Sequence, residues 1–206
     1  MAKRELIAPK GDKRYVRRDE KLRSLPVRLG TPPMEAKLVE ALPEDEGWQF
    51  EPKWDGFRCL AFRAGREVEL QSKSGKSLAR YFPEIVSALQ VLPLDRFVLD
   101  GELAILSGNT LSFDALQDRL HPAESRVRKL AAETPAMFIL FDCLATESDG
   151  NLMQTPLVRR RTALERLFAS LGDQPSLRLT PYTRDVATAR AWLKKARGSL
   201  DGVVAK

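Results

Sequence analysis

The residues of this sequence best suited to chemistry lie together in Glu51-Pro52-Lys53-Trp54-Asp55-Gly56-Phe57-Arg58. A lysine stands between two strand-like runs, directly ahead of an Asp-Gly pair. At a strand end beside a tight turn, its side chain can face a pocket instead of solvent. Once desolvated or set near other cations, the amine gives up its proton and becomes a nucleophile. Asp-Gly supplies a turn that lets backbone come close to a ligand. Arg58 can hold a phosphate or ribose oxygen through its guanidinium. A Lys-x-Asp-Gly pattern standing alone is equally what a surface hairpin looks like.

Other chemistries find little support. Ser72-Lys73-Ser74-Gly75-Lys76-Ser77 follows a strand and precedes a helix, like the end of a phosphate-binding P-loop. That pattern needs a glycine where Leu70 stands, and a leucine side chain obstructs the backbone cradle. There is no GxGxxG dinucleotide fingerprint. The single histidine, His121, is read as a loop residue; it excludes His-rich metal sites and argues against a Ser-His-Asp triad. Cys59 and Cys143 sit in apolar runs and read as buried free thiols in a reducing cytoplasm.

The elements that must position these residues alternate between the two periodicities. Strand-like runs fall at 48–52, 57–64, 67–72, 96–106 and 136–145, with Gly65-Arg66 as a hairpin turn. Helices are expected at 78–91, from a Ser112 cap through Leu120, after an N-cap and first-turn pair at Thr155-Pro156, and at 185–197 up to Gly198. The helix after Pro156 carries Leu157, Leu164, Leu167, Phe168 and Leu171 on one face, and Arg159, Arg160, Arg161 and Arg166 on the other. Residues 25–47 are proline-rich and irregular, with one helical turn expected at 35–41. Asp201-Gly202 leads into a last strand. Hairpins with interspersed helices predict an α+β fold with largely antiparallel sheets and flanking helices.

The chain has 206 residues, 43% hydrophobic and 30% charged, as a soluble globular domain does. No apolar run approaches the roughly 18 residues that span a bilayer, and no secretory h-region follows the basic N-terminus. Five of the six net positive charges lie in residues 1–24, which hold nine Lys/Arg and four acids. That segment, with few large apolar residues, is expected to be a disordered basic tail acting as a phosphate-binding arm, ahead of one body at 25–206.

KWDGFR resembles motif I (KxDGxR) of the covalent nucleotidyltransferases, the superfamily of DNA ligases, RNA ligases and mRNA capping enzymes. Three further stretches follow in that superfamily's order. LDGEL at 99–103 resembles motif III, FILFDCL at 138–144 motif IIIa, and DGVVAK at 201–206 motif IV. Pro33-Met34-Glu35-Ala36 resembles the PMLA segment of bacterial end-joining-type ligases, and Ser72-Lys73-Ser74-Gly75 stands where those carry SRxG. The chain is therefore identified as a member of the ATP-dependent DNA ligases, matching their adenylation (nucleotidyltransferase, ATP-grasp-like) domain.

The resemblance implies a role for each matched residue. Lys53 would attack the α-phosphorus of ATP, expel pyrophosphate and form lysyl-AMP. Glu51 would accept from the adenine amine, Phe141 would stack on the base and Glu102 would hold a ribose hydroxyl. Arg58 and Lys73 would contact phosphate or ribose, and Lys206 the α-phosphate. Asp201 and Glu102 would help hold Mg²⁺ or Mn²⁺. AMP would pass to the 5′-phosphate of nicked duplex DNA, in repair or recombination. End-joining or repair proteins would be partners, and the protein a monomer at the bacterial nucleoid. The family continues past motif IV with motif V and an OB-fold, neither of which is in these 206 residues. Nucleotide binding with very slow or absent self-adenylation and no nick sealing is accordingly expected of them. An RNA ligase, a capping-type enzyme and a turnover-deficient nucleic-acid-binding module remain alternatives. Phe138 competes with Phe141 as the stacking ring, Asp201 is a methylene shorter than the usual glutamate, and Lys73 lacks the fork of the usual arginine.

Deleting residues 1–24 is expected to leave adenylation of Lys53 unchanged and to flatten the salt dependence of DNA binding by about 0.9 in log–log slope for each DNA phosphate that the segment no longer neutralises. An unchanged slope, measured by titration at several salt concentrations, makes the segment a mere leader.

Overall fold

In the computed structural model, which describes residues 20–108, 110–195 and 200–206, two antiparallel sheets carry the chain. The large sheet is built from β2 (Phe57–Ala64), β3 (Glu67–Ser72), β4 (Arg96–Ser107), β6 (Ala136–Thr146) and β7 (Gly150–Asn151), in the order β3-β2-β4-β6-β7. Two short strands join it: β5 (Thr110–Leu111) on β4, and β8 (Leu177–Leu179), parallel to β6. The small sheet pairs β1 (Phe50–Trp54) with β9 (Leu200–Ala205). The expected α+β class with largely antiparallel sheets is what forms.

Strand β2 explains why FRCLAFRA reads as a continuous apolar run: both of its faces are buried. Cys59 and Ala61 enter the larger core, while Leu60, Phe62 and Ala64 enter a second cluster on the other face. The larger core is closed by α1 (Pro83–Gln90), α2 (Phe113–Arg119) and α4 (Leu157–Ala169). Arg63, at the end of β2, donates from Nη1 to the carbonyls of Leu89 and Leu92 at 2.7 and 2.8 Å. It thus satisfies carbonyls that the end of α1 leaves unpaired. The Gly65-Arg66 turn forms as expected, with Ala64 opposite Glu67 and Gly65 at φ +65°. Both cysteines are free and buried.

Several sequence expectations are corrected. The helix at 78–91 begins only at Pro83, because a residue before proline is pushed out of the helical region and Phe82 lies at φ −130°, ψ 58°. No helical turn forms at 35–41, where the chain is irregular and Leu38 is fully exposed. Thr155 does not cap α4; its hydroxyl donates to the Leu152 carbonyl, and Pro156 occupies the cap position. Half of the arginine face of α4 is turned inward, while Arg159 and Arg166 stay exposed. Arg161 is buried, Arg160 pairs with Asp142, and Arg166 pairs with Asp149. A helix absent from the sequence expectations, α3 (Glu124–Glu133), buries only Val127 and carries the i,i+4 pairs Glu124–Arg128 and Lys129–Glu133. Helix α5 (Val186–Lys195) starts at Asp185, whose carboxylate accepts from the Ala187 and Thr188 N–H groups; its expected end at Gly198 lies outside the described residues.

The tail boundary also moves. Residues 20–23 are helical and Leu22, 2% exposed, packs with Leu25 and Val27 on Leu60 and Phe62. Residues 1–19 lie outside the described residues, so a test of the arm should stop its deletion there. Among the described residues no helix is long and apolar enough to cross a membrane.

Leu22→Ala is expected to lower unfolding free energy by about 2–5 kcal/mol, and Phe138→Ala, fully buried in the larger core, by about 3–5 kcal/mol. Urea denaturation measures both; a loss below about 1 kcal/mol at Leu22 would place it outside the core.

Candidate functional site

One large cleft, with a volume of about 1740 Å³, opens between the two sheets. Every residue to which the resemblance gives a role lines it: Glu51 and Lys53 from β1, Arg58 from β2, Lys73 after β3, Glu102 from β4, Phe141 from β6, and Asp201 and Lys206 from β9 and its end. The space exceeds the few hundred to about 1,000 Å³ typical of a small-ligand pocket. It has room for a nucleotide and for part of a second substrate.

Register sets most of this geometry. Lys53 lies opposite Gly202 in the β1–β9 pair, with a bulge between Lys53 and Trp54. This brings Lys53 Nζ to 2.5 Å from Asp201 Oδ2, with both side chains about half exposed. Glu51 lies opposite Val204 and is 2% exposed. Its Oε1 accepts from Gln49 Nε2 and its Oε2 from Lys206 Nζ, both at 2.7 Å. The Asp55-Gly56 bend then folds back onto β4. A Cβ on Gly56 would stand 2.3 Å from the Leu103 carbonyl oxygen and 2.8 Å from Glu102 Cγ, so only glycine fits. The close approach that Asp-Gly permits is therefore made to the strand carrying Glu102.

The floor of the cleft is a web of ion pairs. Arg58 grips Asp100 with two bonds, Nε to Oδ1 at 2.6 Å and Nη2 to Oδ2 at 2.8 Å. The same guanidinium lies 4.4 Å from the centre of the Phe141 ring, and Lys206 Nζ lies 4.8 Å from it. Burial pushes the Asp100 carboxyl up, and the Arg58 pair opposes that shift. Burial likewise pushes Glu102 up to about 8; Arg58 and Lys53 pull it down, while Asp100 and Asp201 add to the rise. On the far side Arg160 Nε bonds Asp142 at 2.9 and 3.1 Å. Lys73, exposed, reaches Glu35 at 2.9 Å, tying the strap around Met34 to the loop after β3.

Of the two competing phenylalanines, Phe138 is buried in the core and Phe141 faces the cleft. Sequence reasoning missed three participants. Asp100 reads in sequence as an ordinary strand-end carboxylate, although it lies two residues from Glu102 in one strand. Asp142 and Arg160 do not stand out; their pairing across β6 and α4 has no short-range signal. His121 lies in a loop away from the cleft lining, where its Nδ1 accepts from the Ala123 N–H.

Among the described residues no three His, Cys, Asp or Glu side chains converge as a ready-made cation cage. Carboxylate oxygens from Asp201 and Glu102 line the cleft. That donor set suits Mg²⁺, which takes one or two carboxylates, substrate phosphates and several waters.

Comparison with known proteins places this geometry. Residues 33–206 match the family model described as ATP dependent DNA ligase domain. The chain is 50% identical over 184 residues to DNA ligase C2 of Mycolicibacterium smegmatis, covering 88% of this chain and 50% of that protein. It is 47% identical over 185 residues to DNA ligase C of Mycobacterium tuberculosis, covering 88% and 51%. Among solved structures, mycobacterial DNA ligase D complexed with ATP and MES superposes with a TM-score of 0.58 at 30% identity, over 77% of this chain and 48% of that one. The chain thus spans about half the length of the curated relatives it matches.

Phe141→Ala is expected to weaken ATP binding by about 1–3 kcal/mol, the scale of base stacking on an aromatic ring. Isothermal titration checks this; unchanged affinity with a lowered melting temperature would make Phe141 a packing residue.

Proposed function

The chain belongs to the ATP-dependent DNA ligase family, and from that premise we propose that its cleft binds ATP and forms lysyl-AMP on Lys53. The observation that carries the proposal is the convergence of Glu51, Lys53, Arg58, Lys73, Glu102, Phe141, Asp201 and Lys206 on one cleft, with the half-exposed Lys53 amine paired to Asp201. The adenine ring packs on Phe141 with its amine toward Glu51, an acceptor facing a donor. Glu102 takes a ribose hydroxyl. Arg58, freed from or shared with Asp100, and Lys73 take phosphate or ribose oxygens. Lys206 leaves its place on Glu51 to take the α-phosphate.

An ammonium held in an ion pair, as Lys53 is with Asp201, is not a nucleophile. The amine must therefore leave Asp201 and give its proton to solvent before it attacks. The Nζ–P bond then forms as the bond between the α-phosphorus and the pyrophosphate oxygen breaks. Asp201 and Glu102 would hold Mg²⁺ together with phosphate oxygens, and the ion would supply charge neutralisation on the triphosphate. Lys206 neutralises charge on the α-phosphate as it develops, an electrostatic contribution realised in the transition state.

In the second stage AMP passes to the 5′-phosphate of a DNA nick, and the 3′-hydroxyl displaces it. The names of the relatives favour DNA over RNA as the substrate. Repair or recombination at the nucleoid is the setting this activity implies, with end-joining or repair proteins as its company and a monomer as the working form.

Incubating the intact enzyme with α-labelled ATP and Mg²⁺ is expected to place label on Lys53 through a P–N bond that survives alkali and is lost in acid. Lys53→Ala abolishes it. Label that persists in that variant, or maps to Lys73 or Lys206, overturns the assignment.

A further inference from the structure

Glu51 is held from two sides, and its two partners differ in kind. Lys206 lines the cleft and carries the charge that balances the carboxylate. Gln49 is not part of the cleft lining; it is 5% exposed and reaches Glu51 from behind, Nε2 to Oε1 at 2.7 Å. Its backbone is fixed independently of its side chain. The Gln49 N–H donates to the Lys206 carbonyl at 3.0 Å and the Lys206 N–H donates to the Gln49 carbonyl at 2.9 Å, extending the β1–β9 pairing by one step. Residues two apart on an extended chain share a face, which puts the Gln49 amide beside the Glu51 carboxylate.

We propose that Gln49 is a positioning residue that fixes the Glu51 carboxylate as the adenine-reading acceptor and so sets the preference for adenine over 6-oxopurine nucleotides. The inference rests on the reading of Glu51 as the group that meets the base. A carboxylate offers two oxygens and about four lone-pair directions. With one donor on each oxygen, rotation of the carboxylate is blocked and one acceptor direction per oxygen remains. Adenine presents an amine donor to such an acceptor. Hypoxanthine and guanine present a carbonyl oxygen at the same ring position, and acceptor against acceptor leaves a buried group unpaired, which is strongly rejected. A neutral amide suits the role, because it orients the carboxylate without adding charge. Without it, Lys206 alone directs Glu51, and the carboxylate turns toward the cation and away from the base.

The test measures equilibrium binding of ATP and of ITP, which carries the 6-oxo group, to the whole 206-residue chain. The readout is fluorescence of Trp54, which lines the cleft. Gln49→Ala, the near-isosteric Gln49→Met and Glu51→Ala are compared with the unaltered protein, with melting temperatures recorded. Gln49→Met keeps the volume and removes the donor, so it serves where the alanine variant fails to fold. Loss of aim by a charged acceptor is expected to lower the ATP-to-ITP affinity ratio about tenfold in either Gln49 variant, mainly through weaker ATP binding. A merely structural role would weaken both nucleotides by the same factor and leave the ratio unchanged; that result, or no change in either affinity, overturns the proposal. Glu51→Ala separates the two levels. A collapsed ratio there with an intact one in the Gln49 variants defeats only the role of Gln49. An intact ratio in all three defeats the reading of Glu51 itself.

Discussion

The antiparallel pairing of β1 with β9 is the constraint on which the site depends. It joins segments far apart in the chain, and each step of its register places a functional group. Gln49 meets the Lys206 backbone, Glu51 meets the Lys206 side chain, and Lys53 meets Asp201. A one-residue slip would turn Glu51 and Lys53 to opposite faces from those they now occupy, since side chains alternate along a strand. The bulge after Lys53 bends the chain into the Asp-Gly turn, where glycine alone fits against β4. Position of the lysine, access to the carboxylates and closeness to the large sheet follow from that one ladder.

The second organising feature is charge held in pairs. Arg58 with Asp100, Lys206 with Glu51, Lys53 with Asp201 and Arg160 with Asp142 each place a cation against an anion around the cleft. Burying Asp100, Glu51, Arg160 or Asp142 alone would cost several kcal/mol, so those pairs permit a polar interior between two sheets, whereas Lys53 and Asp201 stay about half exposed. Within each of these pairs the two charges satisfy one another. A polyphosphate that enters must compete with Asp201 for Lys53 and with Glu51 for Lys206. Arg58 is different: its bidentate grip on Asp100 and its stacking on Phe141 make it part of the floor as much as a free phosphate ligand.

The motif residues were legible in the sequence because each is a distinctive type in a short, ordered pattern. Their convergence on one cleft follows from strands that the apolar alternation also announced. Their partners were not legible. Which carboxylate receives Arg58, and that Gln49 sits behind Glu51, are matters of register and packing across elements. Helix α3 escapes a sequence reading because a solvated helix with one buried residue lacks an apolar stripe, although its two i,i+4 ion pairs are readable. The displaced ends and starts have local causes: Pro83 delays α1, and Leu22 anchors a segment whose charge suggests a free tail. The inward turn of Arg160 and Arg161 in α4 has no short-range signal either, since their acceptors lie across the helix boundary.

The central claim is that the cleft between the sheets takes ATP base-inward, with the α-phosphorus before Lys53. A crystal structure of the chain with a non-hydrolysable ATP analogue tests it most directly. The account predicts adenine stacked on Phe141, its amine within hydrogen-bond distance of Glu51, and the α-phosphorus facing Lys53 Nζ. An analogue bound with its phosphates on the Ser72–Lys76 loop and its base in solvent, or seated outside this cleft, would contradict it.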